Sequence, residues 1–185
     1  MLSGDLVDLR AIEALDLELL TAWMNDPTIM LYWGRPGNTT TLAEVAETER
    51  RESARGNSRK YMIATKAGTR IGIIDYYDLD WVARSAWTSI LVGDSEYWGG
   101  GYGTDAMRTL LRYLFRQLGL HRVSLNVHET NTRAQRSYRK NGFVPEGTLR
   151  EWAYFDGHWE NAVLMSVLDR DFEASTGHSP EAREP

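Results

Sequence analysis

The sequence predicts an α+β fold: one mixed, mostly antiparallel sheet flanked by about four helices. Three patterns carry this reading: three sequential strands in the first half, a strand-helix-strand-helix alternation in the second, and a closing hairpin. At 185 residues and 42% hydrophobic, the chain suits one domain, placed at residues 1–172, with a polar tail from Glu173 to Pro185.

Leu6 to Ile12 alternate as a first strand. Leu17, Leu20, Trp23 and Met24 then recur at helical spacing until Asn25-Asp26-Pro27 stops the helix. After the irregular stretch Tyr32 to Gly37, Thr41 and Glu44 form a capping box that opens a polar helix running to about Arg55. Lys60–Thr65 and Arg70–Tyr77 form a hairpin around Lys66-Ala67-Gly68-Thr69, and Ser85–Val92 adds a third strand.

Thr104 to Leu118 carries the clearest amphipathic pattern, with Met107, Leu110, Leu111, Leu114 and Phe115 on one face and Gly119 as the stop. Val123, Leu125 and Val127 alternate in the next strand. Thr132 to Asn141 then forms a polar helix between Asn131 at its cap and Gly142 past its end. Leu149–Phe155 and Trp159–Leu168 close the domain around the Asp156-Gly157 turn. The alternating Val163, Met165 and Val167 suggest an apolar edge on which a homodimer could form.

A formal charge of −5 gives no footprint for nucleic acid or an anionic membrane. The absence of cysteine excludes disulfides, thiolate metal sites and a cysteine nucleophile. Neither a leader-like N-terminus nor an apolar run of about 18 residues is present, so the expectation is a cytoplasmic protein without a membrane span.

Gly99, Gly100, Gly101 and Gly103 lie between the strand ending at Val92 and the long helix. Backbone N–H groups without Cβ atoms thus meet a helix N-terminus, which suits a phosphate. A surface loop of glycines would look the same. A nucleoside-triphosphate loop does not fit, because no lysine stands between Gly103 and Thr104. The dinucleotide fingerprint fits by spacing, with Gly101, Gly103, Ala106 and then Glu129, and predicts a doubly wound sheet built outward from Ser85–Val92. Against it, Gly93 to Gly100 separate that strand from the fingerprint, and the unit begins halfway along the chain.

Trp98-Gly99-Gly100-Gly101-Tyr102-Gly103 resembles the pyrophosphate loop of the GNAT superfamily of N-acetyltransferases, Q/R-x-x-G-x-G/A, with Trp98 at the Q/R position. Asn131-Thr-Arg-Ala134 and Tyr138-Arg-Lys140-Asn-Gly142-Phe143 resemble its N-x-x-A/S and Y-x-K-x-G-F motifs. The aromatic at 98 resembles the branch of ribosomal-protein N-terminal acetyltransferases. Tyr32-Trp33 and Trp159-Glu160-Asn161-Ala162 are similar to spermidine acetyltransferases.

The resemblance implies the GNAT fold, with a central parallel strand pair splayed around the cofactor, and acetyl-CoA as cosubstrate without a metal. The pyrophosphate would lie on Trp98, Gly99, Gly100, Gly101, Tyr102, Gly103 and Thr104, and the pantetheine arm along Ile90, Leu91, Val92 and Asn126 to Val127, beside Asn131 and Ala134. A strand-edge N–H near Leu91 would polarise the thioester carbonyl. Tyr138 would protonate the departing thiolate, with core packing as the competing explanation of that residue.

The base is open. Many relatives carry glutamate where this chain has Trp87, leaving Asp75, Asp78, Asp80 and His128, each also explicable as a strand-end polar residue. Tyr32, Trp33, Asp75, Trp87 and Tyr154 are the candidate acceptor-side residues, and the expected acceptor is a primary amine of a small molecule or a peptide N-terminus. The competing functions are a non-catalytic acyl-CoA-binding module and a dinucleotide-binding protein.

Overall fold

A computed structural model describes residues 1–33, 37, 39–155 and 157–176. Its strands are β1 (Leu2–Ser3), β2 (Val7–Ala11), β3 (Arg59–Thr65), β4 (Arg70–Asp80), β5 (Ser85–Val92), β6 (Arg122–His128), β7 (Val144–Phe155) and β8 (His158–Leu168). The helices are α1 (Leu17–Asn25), α2 (Pro27–Met30), α3 (Leu42–Ala54), α4 (Tyr102–Arg116), α5 (Thr132–Arg139) and α6 (Asp169–Thr176). The strands form one sheet in the order β1-β2-β3-β4-β5-β6-β8-β7. Of the pairings within it, β5 with β6 is parallel and the others are antiparallel. The dinucleotide reading falls here, because a doubly wound sheet needs parallel neighbours on both sides of its first strand, and β4 runs antiparallel to β5.

Strand alternation divides two apolar layers across this sheet. On one face Ile63, Ile74, Val123, Leu125 and Val127 pack against Met107, Leu110, Leu111 and Leu114 of α4 and Phe172 of α6. On the other, Met62, Ile73 and Leu91 pack against Leu20 and Trp23 of α1 and Val45 of α3. The α4 stripe is fully buried, as its spacing requires. The capping box of α3 forms as read, with the Thr41 N–H donating to Glu44 (2.8 Å) and the Glu44 N–H to Thr41 Oγ1 (3.3 Å).

Several expectations change. Strand β8 lies between β6 and β7, so Met165 and Val167 are core residues and not an exposed edge. Among the described residues the sheet ends at β1 and β7. β7 begins at Val144 rather than Leu149, because an outermost strand tolerates Pro145 and the register shift between Pro145 and Gly147 absorbs the irregularity. Helix α6 carries the chain to Thr176 and buries Phe172, past the residue at which the tail is expected to begin. Residues 34–36 of the irregular stretch, Asp156 of the hairpin turn and residues 177–185 of the tail lie outside the described residues. Among the described residues no helix is long and apolar enough to cross a membrane.

Candidate active site

β5 and β6 pair only at Ser85–Arg122, Ala86–Val123 and Trp87–Ser124. Beyond Trp87 they diverge, which leaves a gap through the sheet. The side of each strand that faces this gap follows from antiparallel alternation. The Gly93 N–H bonds the Ile71 carbonyl (2.8 Å), so the backbone groups of Leu91 turn toward β4 and those of Ile90 and Val92 face the gap. The Glu129 N–H bonds the Asn161 carbonyl (3.0 Å), so Asn126 presents its backbone to the gap and Val127 to β8. The strand edges that face the gap are therefore Ile90, the N–H of Val92, whose carbonyl is taken by the Trp98 indole, and Asn126, a correction to the expectation that named Leu91 and Val127 for this role. Asn126 also holds a buried Oδ1 with no hydrogen-bond partner.

A cleft of about 1680 Å³ runs through this opening. At one end lies the glycine turn. Gly99 and Gly101 have φ of +80° and +89°, a left-handed backbone that favours glycine. The turn leads directly into α4, and the Asp105 N–H bonds Gly101 O (2.9 Å). Among the described residues no protein acceptor takes up the N–H groups of Gly99 through Thr104. The turn thus presents a row of donors at the positive end of a helix, chemistry that fits a pyrophosphate. Gly99, Gly101, Gly103 and Thr104 line the cleft, while Gly100 and Tyr102 do not; Tyr102 packs edge-on against Tyr97. Trp98 is fixed by a bond from its indole Nε1 to the Val92 carbonyl (2.8 Å) and is covered by the Arg133 guanidinium, 3.9 Å from the ring centre.

Helix α5 forms the adjacent wall. Asn131 caps it by accepting the Ala134 N–H (3.1 Å), and Thr104 Oγ1 meets Ser137 Oγ at 2.8 Å, tying the start of α4 to α5. Tyr138 is buried against Phe143 and lines the cleft; burial pushes its phenol up to about 12, so it keeps its proton at neutral pH.

The opposite face of the sheet, under α3, is charged. Lys60, Asp75 and Ser89 sit side by side on β3, β4 and β5. Lys60 Nζ bonds Glu49 (2.5 Å) and Glu52 (2.8 Å) of α3. Asp75 Oδ1 accepts from the Ser89 N–H (3.0 Å) and Oγ (2.8 Å). Burial raises the Asp75 carboxyl to about 6, against the lowering influence of Ser89 and Lys60. Asp75, Asp78 and His128 reach the cleft. Asp80 instead accepts the Val82 and Ala83 N–H groups of the β4–β5 turn. Trp87 lies in the paired segment of β5, outside the cleft, because divergence begins only after it.

Tyr32, Trp33 and Tyr154 line the cleft. Trp152 joins them without having been singled out in the sequence, and Glu160, buried and outside the cleft lining, backs His128. His128 Nδ1 meets Glu160 Oε2 at 2.5 Å, Thr130 bonds the other oxygen, and Tyr32 and Trp152 stand edge-on to the imidazole at 5.8 and 5.4 Å. Burial opposes ionisation of Glu160, yet these two donors hold its carboxyl below the ordinary value. Among the described residues there is no cluster of ligands suited to a metal.

Residues 7–144 match the acetyltransferase (GNAT) domain family. The chain belongs to the GNAT acetyltransferases. GNAT relatives include the spermidine N(1)-acetyltransferase of Vibrio cholerae serotype O1, 27% identical over 89% of this chain and 94% of that protein. Another is the aminoglycoside N(6')-acetyltransferase type 1 of Klebsiella pneumoniae, 29% identical over 80% of this chain and 78% of that protein. A crystal structure of the Vibrio cholerae spermidine N-acetyltransferase in complex with CoA and spermine superposes with a TM-score of 0.83. It is 27% identical and covers 90% of this chain and 97% of that one. This GNAT chain is an acetyl-CoA-dependent N-acetyltransferase, and its glycine turn and free strand edges fit that cosubstrate.

Proposed function

We propose that the enzyme transfers acetyl from acetyl-CoA directly to the primary amine of a small cationic molecule, with Tyr138 protonating the departing sulfur. The observation that carries the reading is a cleft that pierces the sheet, with Tyr138 on its α5 side and a carboxylate-lined pocket on its α3 side. Bound at the turn and the strand edges, acetyl-CoA supplies an activated acetyl thioester. Ile90, Val92 and Asn126 would hold the pantetheine arm, with Gly99 to Thr104 on the pyrophosphate. A strand-edge N–H from Ile90 or Val92 would polarise the carbonyl.

Burial gives Tyr138 two properties suited to its role. The phenol stays neutral, and a thiolate formed in the same desolvated space becomes a stronger base and takes the proton more readily. On the acceptor side, Tyr32, Trp33, Trp152 and Tyr154 offer ring faces and Glu49, Glu52, Asp75 and Asp78 offer carboxylates to an ammonium group. Two relatives, one named for spermidine and one for aminoglycosides, support a small polyamine-like acceptor.

The test is thiol release from acetyl-CoA with a panel of polyamines, aminoglycosides and short peptides. Release with a small amine is the expected result. Acetyl-CoA binding without release would instead mark a non-catalytic binding module. Tyr138→Phe should lower kcat by about 100-fold while acetyl-CoA affinity is retained. Unchanged turnover would remove the phenol from the mechanism.

A further inference from the structure

We infer that Asp75 is the group that takes the proton from the acceptor amine, reaching the site from β4, the strand beside the one that carries the cofactor edge. The inference rests on the acetyl transfer proposed above and assigns the base that the sequence leaves open.

Position argues for it first. Asp75 shares a face of the sheet with Ile73 and Ser89, the α1/α3 face, whereas Tyr138 packs with the α4 layer on the other. The gap between β5 and β6 joins the two faces. A base on one side and an acid on the other let the amine approach from one face while sulfur departs toward the opposite one, which avoids crowding at the carbonyl carbon.

The bonding of the carboxylate argues for it next. Both Ser89 donors fall on Oδ1. That oxygen is anchored, which aims the carboxylate and leaves Oδ2 for the substrate. Lys60, the cross-strand neighbour, is drawn toward α3 by Glu49 and Glu52, so its ammonium supports Asp75 electrostatically without a direct bond. The groups facing Asp75 are therefore Lys60 from β3, Ser89 from β5, Glu49 and Glu52 from α3, and Tyr77 and Asp78 along β4. With its carboxyl raised to about 6, Asp75 is ionised at neutral pH and is a stronger base than an ordinary carboxylate.

The proton balance closes. The acceptor arrives as R–NH3+, and one proton passes to Asp75 Oδ2, leaving a lone pair on nitrogen. That pair forms the N–C bond to the acetyl carbonyl carbon. The C–S bond then breaks, and sulfur leaves with the bonding electrons and takes the Tyr138 proton. The nitrogen passes its second proton through water to the Tyr138 phenolate, and Asp75 returns its own to solvent. The sum is R–NH3+ and thioester giving the acetamide, the thiol and one H+.

Two measurements test this. Carboxyl 13C NMR of the chain without substrates should show Asp75 titrating near 6, and a midpoint near 4 would overturn the assignment. Thiol release is then followed with an ordinary alkylamine and with trifluoroethylamine, which is already largely neutral at pH 7. Asp75→Asn should cut kcat at least 100-fold with the alkylamine and less than about 10-fold with trifluoroethylamine, with acetyl-CoA KM unchanged. The wild-type acid limb near pH 6 should likewise shrink with the weakly basic amine, a comparison that needs no variant. Equal losses with both amines, or a raised amine KM at unchanged kcat, would show a structural or anchoring role instead. So would loss of the pH 6 limb in His128→Gln and not in Asp75→Asn. Absence of release by the wild-type chain with either amine would sink the acetyl-transfer reading itself, while the NMR midpoint would still report on Asp75.

Discussion

Arg133 lies across the ring of Trp98, and Trp98 is pinned to the β5 carbonyl of Val92. The pairing explains how a neutral aromatic can stand at a loop position where the family usually has Gln or Arg: a positive charge arrives there from α5. Arg133→Ala should weaken acetyl-CoA binding about 5–10-fold at low salt, by the loss of about 1 kcal/mol, and flatten the dependence of affinity on ionic strength. Calorimetry at two salt concentrations checks this, and an unchanged affinity would mean that the guanidinium only shields the indole. The glycine turn was legible in the sequence because glycine spacing and a helix start are local signals. Arg133 lies inside a recognisable motif, yet nothing local says which ring it covers. Glu160 likewise stands in a recognisable motif, but its partnership with His128 was not legible, since the two meet only once β6 and β8 pair.

At the scale of elements, Asp16 does the most joining. It is fully buried at the start of α1, where it accepts two bonds from Arg10 of β2 (2.7 and 2.8 Å), one from the Glu13 N–H (2.8 Å) and one from Arg70 of β4 (3.3 Å). Burial alone would raise its carboxyl, but these donors prevail and bring it to about 2. A carboxylate depressed by that much contributes about 2 kcal/mol of stability, present above about pH 4 and lost as pH falls through 2. Denaturant melts of Asp16→Asn should show this loss at pH 7 and convergence with wild type toward pH 2; a deficit constant with pH would indicate packing rather than charge. The long periodic elements, α4, β5 and β6, were readable from sequence within two residues of their bounds. Strand β1, of two residues, and helix α2, of four, are too short for periodicity to register. Prolines and glycines masked the start of β7, where an edge position made them tolerable.

For the whole molecule, the decisive feature is the limited contact between the two parts of the sheet. β1 to β5 and β6 to β8 share a three-pair parallel seam, together with the packing of α4. A cosubstrate bonded to Ile90, Val92 and Asn126 would complete the interrupted ladder, so it should stabilise the chain globally. At one hundred times its dissociation constant acetyl-CoA should add about 2.7 kcal/mol and raise Tm by roughly 5–10 °C. Hydrogen exchange should slow most at the amides of Ile90, Val92 and Asn126. Protection confined to the glycine turn would mean that the arm does not enter the gap. The family resemblance implied a parallel pair, but where the pair parts depends on register, which periodicity does not encode.

The seam at Ser85, Ala86 and Trp87 works like the pivot of a pair of tongs whose jaws are the ends of β5 and β6. Anything threaded inward from the glycine turn comes to rest against that pivot, so the depth of the throat is set by backbone hydrogen bonds and not by the reach of any one side chain.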